Sequence, residues 1–169
     1  MNVTTFGSSR IGSDEKEFEE GIRIGKFFAK EGFTVRCGGY GGLMEAVSRG
    51  VYEEGGRCIG YGLEFFDAIR PKNPYISELI VCKNLHERIE RLIEDCSLFV
   101  VQKGEIGTLN ELFFVWCLKY AKINSDFRIC LVGREWEELF KLNFISRDNY
   151  NMLEFYENAD DLIGRVLGE

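Results

Sequence analysis

Short apolar runs alternate with longer amphipathic segments along most of this chain. This alternation limits the possible folds more than any other feature, because strands that alternate with helices pair in parallel and carry helices on both faces of one sheet. We therefore predict an α/β fold, a doubly wound parallel sheet in three layers. The predicted strands are Val3–Phe6, Thr34–Cys37, Arg57–Tyr61, Leu79–Cys82, Leu98–Val101 and Ile129–Val132, followed by a short strand around Met152–Phe155. Two further helices, Trp136 to Phe144 and Asp160 to Leu167, are predicted to flank that last strand.

The chain has 169 residues, which suits one domain over residues 1–169. It contains no internal repeat, linker or low-complexity tract. In a Rossmann-like sheet of this kind, ligands bind outside the carboxyl ends of the strands. We therefore look for functional residues in the loops that follow the predicted strands.

The overall charge and the cysteines exclude several classes of function. A net charge of −7 argues against nucleic acid as a partner, because phosphate backbones require clustered Lys and Arg. No apolar window is long enough for a membrane span and no signal peptide is visible, so we expect a cytoplasmic protein without membrane partners. Six cysteines without a C-x-x-C pair, and a single histidine, predict no metal site and buried thiols in a reducing compartment.

Four glycines stand in the segment that follows strand 34–37 and opens a helix. Glycines allow the backbone to approach a ligand closely, although tight packing alone could explain two of them. The next strand lacks the acidic residue that would bind the ribose of a dinucleotide coenzyme, so no such cofactor is expected. The residues predicted here to contact a ligand are Gly38, Gly39, Gly42, Leu43 and Met44.

The first strand ends in a turn of small residues, Gly7, Ser8 and Ser9. Free backbone amides in such a turn can bind an anion. The alternative is an ordinary turn that uses glycine for its backbone conformation.

A loop after strand 98–101 leads into a second glycine-containing helix start. Backbone amides there and the Thr108 hydroxyl could bind a phosphate, and Glu111, one turn later, could face the same crevice. Alternatively, Thr108 only caps the helix and Glu111 only complements its dipole. The predicted ligand contacts in this loop are Gly104, Glu105, Ile106, Gly107 and Thr108.

Arg88 and Arg91 lie one turn apart in the helix after strand 79–82, so one or both could reach an anionic ligand. Exposed salt bridges with neighbouring glutamates are the alternative. Asn84 and Asn158 each precede an acidic residue by three positions and are predicted helix caps, as is Ser13.

Taken in order, four segments of this chain resemble the Lonely Guy (LOG) family, whose members were long labelled possible lysine decarboxylases. These segments are Phe6–Ser9, Gly38–Met44, Leu85–Arg88 and Lys103–Glu111. The resemblance implies hydrolysis of an adenine-type nucleoside 5′-monophosphate to free base and ribose 5-phosphate, without metal or coenzyme. It also implies catalytic residues at Arg88 and Glu111, and a homodimer or larger assembly. Lysine decarboxylation itself would need pyridoxal phosphate on a Schiff-base lysine in a much larger protein.

This chain departs from the family pattern at two places. Where the family has Pro-Gly-Gly, it has Lys103, Gly104 and Glu105, and where the family has a lysine after the arginine, it has Ile89. Both changes are expected to make the site less favourable for phosphate. The alternative is therefore a non-catalytic protein that binds a nucleotide or carries molybdenum cofactor. We also expect Arg88 to lower the pKa of Glu111 and keep it ionised.

Overall fold

The computed structural model describes residues 1–168. One seven-stranded sheet runs through the molecule in the order β4-β3-β2-β1-β5-β6-β7, and every strand pair within it is parallel. The strands are β1 (Asn2–Phe6), β2 (Thr34–Cys37), β3 (Cys58–Leu63), β4 (Glu78–Cys82), β5 (Leu98–Val101), β6 (Arg128–Val132) and β7 (Glu154–Tyr156). The helices are α1 (Lys16–Lys30), α2 (Leu43–Glu53), α3 (Glu64–Asp67), α4 (Leu85–Ile93), α5 (Ile106–Tyr120), α6 (Arg147–Tyr150) and α7 (Ala159–Arg165), with a 3₁₀ segment at Arg134–Lys141.

Two apolar cores cover the two faces of the sheet. In β5, Leu98 and Val100 point into the core under α1, α2 and α7, whereas Phe99 and Val101 point into the core under α4 and α5. This alternation follows from the two-residue period of a strand, and all four side chains are buried. The arrangement confirms the predicted three-layer, doubly wound α/β fold.

The chain reverses its direction across the sheet between β1 and β5. Strands β2, β3 and β4 extend to one side of β1, and β5, β6 and β7 extend to the other side. The chain therefore leaves β1 and β5 toward helices on opposite faces of the sheet, and a crevice forms at the carboxyl ends of these two strands. The Ser8 amide donates to Lys103 O at 2.9 Å, and the Leu43 amide donates to Ser8 O at 2.8 Å, which ties three loops together at this point.

The local predictions agree with the structure with a few corrections. Asn84 and Asn158 cap α4 and α7 as predicted, each accepting from the backbone amide three residues later. Ser13 is not a cap, because α1 begins later, at Lys16, with Glu15 as its N-cap residue. The helix predicted from Trp136 to Phe144 is the 3₁₀ segment described above, and the last strand begins two residues later than predicted.

The cysteines are all free thiols, and five are buried as predicted. Cys117 is the exception, because it lies on the exposed face of α5. Within residues 1–168, no group of three or more His, Cys, Asp or Glu side chains is placed to hold a metal ion. No helix in the same range combines the length and the apolar character that a membrane span requires.

Candidate functional site

A cavity of about 380 Å³ opens at the carboxyl ends of β1, β2 and β5, where the chain reverses across the sheet. It brings together residues from all four sequence segments that were singled out as functional. The predicted site residues that line it are Gly7, Ser8, Ser9, Gly38, Met44, Arg88, Glu105, Ile106, Gly107, Thr108 and Glu111.

Four predicted ligand contacts lie outside this lining, and three of them support the loops around it. Gly42 has a φ of +69°, and a Cβ there would lie 2.3 Å from Ser8 O. A Cβ on Gly104 would lie 2.1 Å from Thr108 Oγ1, and Leu43 is fully buried beneath Gly7. Gly39 also has a positive φ, and it packs against Gly60 of β3. The packing explanation considered for the glycines therefore applies to Gly39 and Gly42.

Arg88 enters the cavity from the first turn of α4. Its Nε donates to Tyr61 O at 2.7 Å, which fixes the guanidinium across the end of β3. Gly38 makes room for it, because a Cβ there would lie 2.2 Å from Arg88 Nη2. Arg91, one turn later, points away and pairs with Glu94 on the exposed surface. Only the first of the two candidate arginines therefore belongs to the site.

Glu111 faces Arg88 inside the cavity, with 3.6 Å between its Oε1 and Arg88 Nη1. Each side chain is only 14% exposed, so water screens neither charge well. Burial raises the pKa of Glu111 to about 7, and the positive charge of Arg88 only partly opposes this rise. Arg88 lowers the pKa of Glu111 as expected, but the expectation that it keeps the group fully ionised is wrong, because the cost of burying the carboxylate outweighs the attraction. The carboxyl group is instead poised to gain or lose a proton near neutral pH.

The first turn of α5 presents backbone amides to the cavity. The earliest bond of this helix that closes a full turn is from Leu109 N to Glu105 O at 2.9 Å, so the amides of Ile106, Gly107 and Thr108 precede the helical ladder. All three residues line the cavity, and the Thr108 side chain is buried against Gly104. This is the arrangement that binds anions at helix N-termini.

The residues at which this chain departs from the family pattern contribute little to the interior of the cavity. Glu105 lies at the rim, 69% exposed, and pairs with Arg10 at 3.2 Å, while Lys103 turns away and pairs with Glu17 at 2.6 Å. Ile89 is buried in α4 and is not part of the lining. The negative charge of Glu105 is therefore offset by a cation that the sequence analysis did not consider.

Sequence reasoning missed a group of side chains on the other wall of the cavity. The Arg70 guanidinium lies 4.3 Å from the centre of the Phe66 ring and 5.4 Å from that of Tyr40. Tyr40 is fixed because its hydroxyl accepts from Leu63 N at 2.7 Å. Tyr40 stands within the glycine-rich segment and could have been noticed there. Phe66 and Arg70 lie in an irregular stretch without any pattern that would have identified them. The lining residues that were absent from the predicted site are Thr5, Phe6 and Arg10 at the end of β1 and in the loop after it, and Tyr40, Phe66 and Arg70 on this wall.

The protein has a doubly wound α/β fold, and one cavity at the switch of strand order holds a buried Arg–Glu pair and helix-end amides, groups whose chemistry suits a small anionic ligand. Residues 44–166 match the model of the family described as possible lysine decarboxylase. The chain belongs to this family, which is the LOG family that the sequence motifs resemble.

Individual relatives are identical to this chain at about a quarter of the aligned positions. It is 27% identical over 149 residues to a cytokinin riboside 5′-monophosphate phosphoribohydrolase from Mycobacterium marinum, covering 83% of this chain and 80% of that protein. It is 25% identical over 132 residues to a pyrimidine/purine nucleotide 5′-monophosphate nucleosidase from Escherichia coli, covering 73% of this chain but only 28% of that protein.

A solved structure shares the complete fold. The molybdenum cofactor binding protein from Rippkaea orientalis superposes with a TM-score of 0.75 at 18% identity, over 98% of this chain and 94% of that one. At this identity the likeness establishes the fold alone.

Proposed function

We propose that this chain hydrolyses the N-glycosidic bond of an adenine-type nucleoside 5′-monophosphate to free base and ribose 5-phosphate. The observation that carries the proposal is the pair of Arg88 and Glu111, 3.6 Å apart in a cavity lined by amide-rich turns. The names of the relatives from Mycobacterium marinum and Escherichia coli support it, since both describe cleavage of nucleoside monophosphates.

The phosphate would bind where the turn after β1 meets the start of α5. The amides of Ile106, Gly107 and Thr108 point outward there, and the dipole of α5 favours a negative group. The small residues Gly7, Ser8 and Ser9 line the opposite side of the same cavity. A 5′-phosphate held at this end places the ribose toward the interior, where Arg88 and Glu111 lie.

Glu111 in its ionised form would act on the ribose. The bond between the base and C1′ breaks with its electron pair leaving on the base, and the sugar develops positive charge. A nearby carboxylate stabilises that charge and can orient the water whose oxygen forms the new bond to C1′. The departing base then takes up a proton, so the reaction needs only water.

Arg88 would hold this arrangement in place. Its guanidinium is fixed by the bond to Tyr61 O and lies beside Glu111, where it favours the ionised carboxylate against the effect of burial. It can also donate to a ligand oxygen, because an arginine carries five donor hydrogens.

The family description does not lead us to propose lysine decarboxylation. That chemistry uses a lysine to hold its cofactor as a Schiff base. No lysine is among the described residues that line this cavity, and Lys103, two residues before Glu105, pairs with Glu17 outside it.

The second candidate function is binding without cleavage, of a nucleotide or of molybdenum cofactor. Glu105 favours it, because an acidic residue stands at the rim where the family pattern has glycine. The name of the Rippkaea orientalis protein is consistent with it. Both ligands carry phosphate, so the same end of the cavity would receive either one.

Release of free base from AMP by the purified protein separates the two candidates. We expect Glu111→Ala and Arg88→Ala each to lower kcat/KM by about 100-fold or more, because both residues act on the transition state. Arg91→Ala is the matched control, since Arg91 lies on the same helix but pairs with Glu94 outside the cavity. If the wild type releases no base from any nucleoside monophosphate, the proposal fails and the binding function takes its place.

We further propose that residues 1–169 act as one domain and that the active form is a homodimer or a larger assembly. Helix α5 leaves Phe113, Phe114 and Tyr120 exposed directly after the residues that line the cavity, and an apolar surface of this kind suits a subunit interface. The free thiols of all six cysteines support a cytoplasmic location.

A further inference from the structure

A second cavity, of about 330 Å³, lies at the carboxyl ends of β5 and β6 and shares no lining residue with the first. Its walls come from the start of α1 and from the chain that follows β6 and β7. The floor is formed by Leu43, Gln102 and Val132, all of which are buried. A volume of this size accommodates a small metabolite.

Gln102 is a polar group without a protein partner at the floor of this cavity. The residue is only 4% exposed, and within residues 1–168 no hydrogen bond to its side-chain amide occurs. Gly21 of α1 packs closely beside it, because a Cβ there would lie 3.3 Å from Gln102 Oε1. A buried amide costs free energy unless a partner meets it, so this group is available to a ligand.

The positive charges around this cavity are already paired. Lys16 pairs with Glu20 at 3.1 Å, Lys103 pairs with Glu17, and Arg134 pairs with Glu157. The nearby N-terminus of α7 is occupied as well, because the Ala159 amide donates to Glu20 Oε2 and Asn158 caps the helix. Among the described residues, the lysines and the arginine that line this cavity are therefore each paired with a carboxylate.

One carboxylate in the cavity has no partner among the described residues. Glu135 has no hydrogen bond or ion pair among the described residues. The hydrogen bond to Glu17 is the main cause of the raised pKa of Lys103, and the charge of Glu135 adds a smaller effect. Its position depends on Gly133, which has a φ of +122° and whose absent Cβ would lie 2.4 Å from a carboxylate oxygen of Glu135. Among the described side chains that line this cavity, the Glu135 carboxylate at the mouth and the Gln102 amide at the floor are thus available to a ligand.

We propose that this second cavity binds a small organic cation that carries a primary ammonium group. An ammonium group has three donor hydrogens and no acceptor, which suits the carboxylate of Glu135 and the carbonyl oxygen of Gln102. The site is separate from the one in which nucleotide cleavage is proposed and does not depend on that function.

Calorimetric titration with 1,4-diaminobutane tests the proposal, with neutral 1,4-butanediol as the matched probe. We expect the diamine to bind the wild type and the diol not to bind. Glu135→Gln and Gln102→Leu should each weaken diamine binding by about tenfold or more, because each removes a hydrogen-bond partner of a charged group. Glu137→Gln, which removes the same charge two residues away and outside the cavity, should leave the affinity unchanged.

Several results would overturn this site. Absence of heat from the wild type up to about 10 mM diamine would do so, as would equal affinity for diamine in wild type and Glu135→Gln. Glu111→Gln provides the separate check: if it abolishes diamine binding while Glu135→Gln does not, the diamine occupies the first cavity. Thermal unfolding of each variant shows whether Gln102→Leu has kept the fold, and Glu135→Gln, an exposed residue, provides the test if it has not.

Discussion

At the scale of single residues, the cavity depends on one carboxyl group whose charge is costly to bury. The pKa of Glu111 is about 7 in the folded protein, against 4.5 for an ordinary glutamate. Burial raises this pKa and the positive charge of Arg88 lowers it, and burial has the larger effect. Retaining such a group in the core destabilises the protein near neutral pH, which is typical of functional sites.

This cost can be measured as a pH-dependent stability. Because the folded protein holds the Glu111 proton more tightly than the unfolded chain does, the free energy of unfolding falls as pH rises from the unfolded pKa to the folded one. Glu111→Gln removes this pH-dependent loss of stability, because a glutamine side chain does not ionise. The stability of the variant relative to wild type should therefore increase by up to about 3 kcal/mol between about pH 5 and pH 8. Urea unfolding at both pH values measures it, and a difference that does not change with pH would contradict the buried carboxylate.

Glu105 provides a second prediction for a single residue. It lies at the rim, paired with Arg10, and both side chains are well exposed. Glu105→Gly should release Arg10 toward the cavity and tighten AMP binding, by less than about fivefold because exposed pairs are worth at most about 1 kcal/mol. The gain should shrink as salt rises. Calorimetry on the variant and on the double variant with Arg10→Ala measures it, and an equal gain in the double variant would show that Arg10 is not the cause.

At the scale of helices and strands, the cap of α4 links stability to the site. Asn84 Oδ1 accepts from Glu87 N at 3.0 Å, and the Arg88 amide donates to Asn84 O at 3.1 Å. The first turn of α4 therefore sets the place of Arg88 in the cavity. Asn158 caps α7 in the same way, at 3.0 Å from Asp161 N, but no residue of α7 lines the first cavity.

These two caps allow a matched comparison. Asn84→Ala and Asn158→Ala should each lower the free energy of unfolding by about 1 kcal/mol. Only Asn84→Ala should also lower kcat/KM for AMP, by about tenfold, because a small displacement of a positioned group is costly in catalysis. Thermal unfolding and base-release kinetics on both variants provide the test. Equal kinetic losses in the two variants would show that the cap of α4 does not position Arg88.

The residue pattern of each strand and helix explains which elements could be predicted from the sequence. Strands β1 and β2 are followed directly by small residues and β5 is wholly apolar, so the strands and the loops after them were predictable, and these loops line the first cavity. The segment after β6 was predicted as an α-helix because Trp136 and Leu139 are spaced as in an amphipathic helix, and a 3₁₀ turn buries the same two side chains. Arg70 could not be predicted, because its contact with Tyr40 arises only when a distant irregular stretch folds over the glycine-rich segment.

At the scale of the whole molecule, an apolar groove on the described chain faces solvent. A groove on α5 is lined by Phe113, Trp116, Cys117 and Tyr120, with Ile145 and Asn149 at its edge. Phe113 stacks on Trp116 with 5.6 Å between ring centres, so the groove is a continuous aromatic surface. In a single chain this face of α5 remains exposed. A second copy of the chain can bury it if the two grooves meet about a two-fold axis.

This arrangement predicts a mass of at least twice the 19.5 kDa of one chain by light scattering at micromolar concentration. Phe113→Asp should reduce the mass to that of one chain, because a charge at the centre of an apolar interface loses its hydration without gaining a partner. Phe144→Asp is the matched control, since Phe144 is 85% exposed and lies outside the groove. Circular dichroism shows whether each variant is folded.

A folded wild type with the mass of a single chain in light scattering would show that α5 faces solvent. Equal dissociation by both substitutions would place the interface elsewhere. If instead Phe113→Asp alone yields folded single chains, the cleavage of AMP by these chains measures whether the cavity, which begins at the first turn of the same helix, needs the partner to work.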